Sequence, residues 1–178
     1  MKARFDTEYG TFDVEIDEGA APVTGRYFAA LIECRAFDGT GFFRIVGPDN
    51  ASFRAASPIE VIQGGLRETD AQPVPPVAHE STAMTGLSHL KWTLSAARFA
   101  PGQTYGSFFI CMRDEPALDH GGERHPDGQG FAAFGRVIAG FDTVEAIFAR
   151  REAAEYLEAP VALHNCRMLN GCASHPNG

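Results

Sequence analysis

The sequence predicts a mainly β protein, an antiparallel barrel with helices on its outside, and three observations carry that expectation. Short runs of strand type recur about eight times, only two stretches switch to a helical period, and strands and helices do not alternate in the βαβ rhythm of parallel sheets. Phe12, Val14 and Ile16 alternate with Thr11, Asp13, Glu15 and Asp17, and Tyr9-Gly10 separates them from the run around Phe5, so the chain opens on a hairpin. Over 22–36 the period changes: Val23, Tyr27, Phe28, Leu31 and Ile32 fall on one helical stripe, and Pro22 suits the first helical position. Strand-type runs follow at 42–46, 59–63, 93–97, 107–112, 131–138 and 161–169. A second helix is expected from Asp142, whose spacing to Glu145 is that of a capping box. It would bury Val144, Ile147 and Phe148 and end at Arg150 and Arg151, which suit the negative end of the helix dipole. The stretch 66–90, with Pro73, Pro75 and Pro76, predicts a long loop of the kind that is usually functional or mobile. Residues 170–178, NGCASHPNG, predict a disordered tail, which leaves 1–169 as one domain.

Composition narrows the function classes. A chain of 178 residues that is 44% hydrophobic can bury one substantial core. A net charge of −8 argues against nucleic acid or an anionic membrane as partner and favours a neutral or weakly charged ligand. No basic, then apolar, leader follows Met1, and no apolar run reaches the length of a bilayer span. Cys34, Cys111, Cys166 and Cys172 lack CxxC spacing, which favours reduced thiols in the cytoplasm over disulfides or a zinc site. His120 and His125 with Asp119 and Asp127, in LDHGGERHPDGQG, have the composition of a metal cluster, but the Gly and Pro content favours a solvated loop. QGG and DGQG lack the lysine and the register of a phosphate loop. No metal and no cofactor are expected.

Residues 37–46, FDGTGFFRIV, raise a sharper question. Phe42, Phe43, Ile45 and Val46 have the character of strand interior behind a turn-like Asp38-Gly39-Thr40-Gly41, yet Arg44 interrupts them. An arginine there snorkels to water, meets a carboxylate, or lines a cavity that needs its donors, and the snorkelling edge-strand residue is the commonest of the three.

FDGTGFFRIV, VIQGG at 61–65, TLSAAR at 93–98, GSFFIC at 106–111, ALD at 117–119 and FAAFGRVIAGFDTVE at 131–145 occur in the order found in the cyclophilin-type peptidyl-prolyl cis-trans isomerases, and the hairpin and the APVTGRYF helix fit too. Each motif alone is weak; the six in order resemble that family over nearly everything up to residue 169. The resemblance implies a closed eight-stranded antiparallel barrel capped by two α-helices. An outer groove would take an X-Pro peptide or a proline-containing segment of an unfolded protein, and a monomer is expected. It places the catalytic arginine at Arg44, with Gln63 orienting it or reaching the peptide. Phe109 and Leu118 match apolar walls of the proline pocket, Ala97 and Arg98 match residues that contact the peptide backbone, and Phe131 stands where members carry His or Tyr. Three positions depart from the pattern. Ser107 replaces a backbone-clamping glutamine, Glu60 replaces an aromatic, and Ala117 replaces the tryptophan before Leu118-Asp119. By strand alternation Val61 shares the face of Gln63, as a groove residue, while Glu60 shares that of Ile62. GPDNASFRAASP, 47–58, reads as an insertion beside the groove.

The chemistry implied has a physical requirement. Rotation about an X-Pro bond is opposed by ~20 kcal/mol because the prolyl nitrogen's lone pair is delocalised into the carbonyl. A guanidinium that donates to that nitrogen, or holds the prolyl carbonyl, is worth more in the twisted state than in the planar one, and only such a difference accelerates the step. An acceleration of about 10⁵ needs roughly 7 kcal/mol, whereas one charge-assisted hydrogen bond supplies ~1.5–3. A dry pocket and a grip on the peptide must supply the remainder. The competing reading is a peptide-binding or holdase module that kept the groove and lost the chemistry: Arg44 and Gln63 favour the enzyme, Ser107 and Glu60 the binder.

Overall fold

The computed structural model describes residues 1–51, 57–98, 100 and 103–169. Eight strands, β1 (Lys2–Thr7), β2 (Gly10–Ile16), β3 (Gly41–Val46), β4 (Val61–Gly65), β5 (Thr93–Arg98), β6 (Thr104–Cys111), β7 (Ala132–Ala139) and β8 (Tyr156–Leu169), pair antiparallel and close in the order β1-β2-β7-β5-β6-β4-β3-β8. The barrel closes because inward positions alternate as the sequence indicates. Phe12, Val14 and Ile16 on β2, Ile62 on β4 and Phe108 and Ile110 on β6 all enter one apolar core. Phe108 is its hub, with ring centroids 5.5 Å from Phe5 and Phe37 and 5.9 Å from Phe42.

Helix α1 (Pro22–Glu33) starts at Pro22 and buries Tyr27, Phe28, Leu31 and Ile32; Phe28 stacks on Phe134 of β7 at 4.2 Å. Val23, expected on the buried stripe, is 45% exposed, because Thr24 and Gly25 take the inward positions of that turn. The helix also stops at Glu33, short of residue 36. Its N-cap residue gives no side-chain bond, and Glu80 from the loop fills the role by accepting from the Thr24 N–H at 2.7 Å.

The stretch 66–90 is a long connection but not a featureless one: Val77 bridges to Thr104, and a one-turn helix, α2 (Thr82–Thr85), sits within it. Helix α3 (Phe141–Phe148) begins one residue ahead of the expected start. Gly140, at φ +75°, caps it; a Cβ there would lie 2.4 Å from the Thr11 carbonyl oxygen. The capping box on Asp142 does not form, and Glu145 instead accepts from Lys91 Nζ at 3.0 Å. Strand β4 starts at Val61 rather than 59, and β8 starts at Tyr156, five residues before the expected run. The expected tail, 170–178, and the middle of the insertion, 52–56, lie outside the described residues. The near end of the insertion is anchored by Asn50, whose Nδ2 donates to the Ile45 and Glu152 carbonyls at 3.0 and 2.8 Å. Among the described residues no helix is long and apolar enough to cross a membrane.

Candidate active site

Two irregularities of the barrel wall build the site. On β3 the register shifts between Phe42 and Arg44 against both neighbouring strands, so a bulge interrupts the alternation. Phe42 and Ile45 enter the core, while Phe43 stacks outside on Tyr156 and Arg44 faces a cleft beside it. On β5 a second shift, between Ala96 and Arg98, turns the adjacent Ala97 and Arg98 into that same cleft. Bulges that re-aim side chains in this way are over-represented next to active sites.

The cleft encloses about 690 Å³ on the outside of the barrel, and its floor is lined by Ile59, Val61, Phe109 and Leu118, part of an apolar cluster separate from the main core that Val46 and Cys111 complete behind them. Phe131 meets Phe109 edge-on at 5.6 Å and closes one end. Burial pushes the Cys111 thiol well above its ordinary value, so it acts as an apolar group behind the floor.

Above that floor, Arg44 is held from three sides. Its Nε and Nη2 donate to Glu155 Oε2 at 3.0 and 2.6 Å, its Nη1 donates to Gln63 Oε1 at 3.0 Å, and its guanidinium lies 5.6 Å from the Tyr156 ring. Both charged side chains are mostly covered, at 18% and 16% exposure, so this pair is not a surface contact screened to nothing. Gln63 passes the fixation on: its Nε2 donates to Ser107 Oγ at 3.0 Å, and the Ser107 hydroxyl donates to the Gly64 carbonyl at 3.3 Å. Arg44 therefore neither snorkels nor merely lines a cavity; it meets a carboxylate at the cleft wall.

Arg44, Gln63, Val61, Ala97, Arg98, Phe109, Leu118 and Phe131 all line the cleft. Ser107 does not. It is fully buried beneath Gln63, so its expected place in contact with the peptide is corrected: strand alternation gave the right face, but the longer Gln63 side chain covers it. Arg98 reaches the cleft with three N–H groups already engaged, Nε to the Gly130 carbonyl at 2.7 Å and Nη1 and Nη2 to Asp127 at 2.9 and 2.8 Å. Its hydrogen bonds hold the Asp127 carboxyl well below the usual carboxylate range and pin the loop 119–130 against the barrel. The loop is solvated as expected at His120, which is exposed, while its two aspartates are tied into the fold. Asp119 accepts from His89 Nδ1 at 2.7 Å, and His89 Nε2 meets Ser95 Oγ at 2.8 Å. These are the residue types of a hydrolase triad, but His89 and Ser95 are 1% and 0% exposed, and the imidazole stacks behind Phe109 at 6.1 Å. The network supports the cleft floor instead of reaching a substrate. Glu60 is absent from the cleft; its side chain meets Arg113 at 3.5 Å.

Several cleft residues carry no local signal in the sequence, among them Glu68, Tyr105, Glu123, Arg124, Glu155 and Tyr156. Burial raises the Tyr105 phenol above its usual value. Arg124 lines the cleft on the side of Ala117, donating through Nη1 to the Ser57 carbonyl at 3.1 Å. Glu155 and Tyr156 arrive through the pairing of β8 with β3, which only the closed barrel reveals.

The model of the family described as cyclophilin type peptidyl-prolyl cis-trans isomerase/CLD matches residues 2–168. A peptidyl-prolyl cis-trans isomerase of Streptomyces antibioticus is 33% identical over 144 residues, covering 80% of each chain. Peptidyl-prolyl cis-trans isomerase A of Dickeya dadantii is 30% identical over 145 residues, covering 79% of this chain and 67% of that one. Among solved structures, a Cryptosporidium parvum cyclophilin type peptidyl-prolyl cis-trans isomerase, determined in the presence of the dipeptide Ala-Pro, shares the fold. Its TM-score is 0.75 at 17% identity, over 96% of this chain and 100% of that chain.

Proposed function

The chain belongs to the cyclophilin-type peptidyl-prolyl cis-trans isomerase family, and from that premise we propose that the cleft beside Arg44 takes the X-Pro segment of a peptide or unfolded protein and turns it about its imide bond. The observation that carries this reading is one juxtaposition: a guanidinium fixed by Gln63 stands at the wall of a preformed pocket whose floor, Val61, Phe109 and Leu118, is apolar. The apolar floor holds the pyrrolidine ring and keeps water out, while Ala97, Arg98 and Phe131 bound the adjoining peptide. Arg44 then donates to the prolyl nitrogen as its lone pair localises, or holds the prolyl carbonyl, where a charge-assisted bond in a dry site favours the twisted state. The Ala-Pro dipeptide used with the structurally similar C. parvum protein supports a proline-containing ligand for this cleft.

The departures that favoured a mere binder lose their weight. Ser107 works beneath Gln63 and Glu60 points elsewhere, so neither bears on the contact with the bond that rotates. A monomer is part of this reading. The cytoplasm is the compartment we assign, supported by the free state of Cys34, Cys111 and Cys166.

The test is exchange spectroscopy, or a protease-coupled assay, on short Ala-X-Pro-Phe peptides. The expected result is exchange that rises in proportion to protein, with kcat/KM of about 10⁴ M⁻¹ s⁻¹ or more. Exchange at the uncatalysed rate, with binding retained, would leave only the binder.

A further inference from the structure

We propose that Glu155 is a positioning residue for Arg44, holding the guanidinium so that one chosen edge faces the substrate and offsetting its charge within the cleft. The proposal rests on the reading of Arg44 given above and goes beyond it to a residue 111 positions away in sequence.

The geometry is specific. A single carboxylate oxygen, Oε2, accepts from both Nε and Nη2, at 3.0 and 2.6 Å, which is the side edge of the guanidinium. Gln63 takes Nη1 at 3.0 Å. A guanidinium carries five N–H groups; with three engaged, one on each terminal nitrogen is left for a peptide. Remove Glu155 and the fork is free to pivot about Gln63, presenting any of its edges. The carboxylate is itself well placed to fix another group. Its own backbone carbonyl accepts from the Ile45 N–H at 2.8 Å, directly after Arg44, so strand pairing sets its position rather than side-chain chance. Tyr156, the next residue, pairs with Arg44 across the β3–β8 ladder and covers the guanidinium face.

A neutral acceptor would serve orientation equally well, so the choice of a carboxylate needs its own reason. A peptide in the cleft displaces water from Arg44, and an arginine stripped of water without a counter-charge is costly to hold. Arg124 lines the same cleft and adds a positive charge near the first, Arg98 there being paired with Asp127; Glu68 and Glu123 line the cleft too, but Glu155 is the carboxylate that accepts from Arg44. Glu155 answers both by supplying a negative charge that stays when the substrate enters. The consequence is that the cleft does not demand an acidic residue beside the proline.

The test compares Glu155→Ala and Glu155→Gln with the parent on uncharged, Glu-Pro and Lys-Pro peptides. The alanine variant loses the tether and should drop in kcat by about ten- to a hundredfold, the cost of a misplaced catalytic group, with KM within about threefold. The glutamine variant can keep both hydrogen bonds on one oxygen, so it should stay within about threefold of the parent on uncharged peptides. With the charge gone it should shift toward Glu-Pro over Lys-Pro by about threefold or more, the effect of one charge several ångström away in a water-like medium. The Arg44 Nε–Hε resonance, slow to exchange in the parent and in Glu155→Gln, should be lost in Glu155→Ala. A Glu155→Ala variant with parental kcat, one that does not fold, or a glutamine variant as slow as alanine overturns the proposal. An Arg44→Ala control separates the two levels. If it is slow while Glu155→Ala is not, this inference alone fails; if it is fully active, the reading of the site fails and takes the inference with it.

Discussion

Replacing Ser107 with alanine removes one oxygen and tests whether the site extends beneath its visible surface. Ser107 Oγ accepts from Gln63 Nε2 at 3.0 Å and donates to the Gly64 carbonyl at 3.3 Å, with no exposed surface of its own. Each bond is worth about 0.5–1.5 kcal/mol net. The second is long, and the freed Gln63 amide can turn to water in the cleft, so about 1 kcal/mol is the expected loss, a fall in Tm of about 2–4 °C for a chain of this size. Arg44 keeps Glu155, so kcat/KM should fall by no more than about fivefold, the equivalent of the same energy. Parallel thermal melts and peptide-exchange rates read both numbers. The reverse change is more discriminating. If Ser107 were a shortened clamp on the peptide, Ser107→Gln would restore a contact and raise the rate. With Ser107 enclosed beneath Gln63, the longer chain overpacks the wall at a cost of about 1–3 kcal/mol and the rate should fall. A faster Ser107→Gln enzyme would refute this account of the wall.

Asp127→Asn should loosen the loop 119–130, and its effect should depend on pH with a defined sign. The folded-state pKa of Asp127 is lowered by Arg98, so the stability it confers is present above the ordinary carboxylate value of about 4 and is lost as pH falls below it. Parent and variant should therefore differ in Tm at pH 7, and the gap should narrow progressively as pH falls from about 4 towards the lowered folded-state value; a gap that does not narrow in acid would contradict the pairing. Among Cys34, Cys111 and Cys166, a thiol reagent on the native protein followed by peptide mapping should label Cys34 alone at an appreciable rate, since the other two are buried with their thiols held protonated. Rapid native labelling of Cys111 would contradict the sealed floor of the cleft.

Much of the barrel was legible because alternation survives in strands with one buried face, as Phe12, Val14 and Ile16 show. Arg44 stood out for the opposite reason: a charge in a run of strand-interior residues needs an explanation wherever it falls. Alternation could not foresee the two bulges, because an inserted residue leaves no mark in composition, and so the shared outward aim of Ala97 and Arg98 rested on resemblance alone. The depth of Ser107 was hidden because a strand pattern assigns a face and says nothing of which neighbour's side chain lies across it. Glu155 was beyond reach for a related reason. It lies in REAAEYLEAP, a stretch with no strand period of its own that joins β8 only by closing on β3. At α3, the Asp142–Glu145 spacing misled because Gly140 can adopt the left-handed cap conformation and start the helix earlier.

The central claim, that Arg44 carries the isomerisation, is tested most directly by the kcat/KM of Arg44→Ala on an Ala-X-Pro-Phe peptide, measured where the variant is shown by its melt to be folded. The predicted fall is about 10² to 10³, the worth of a transition-state donor at ~1.4 kcal/mol per tenfold, with a Tm only a few degrees lower because the strand pairing around residue 44 is main-chain and remains. A folded variant that isomerises the peptide at the parental rate would contradict the assignment.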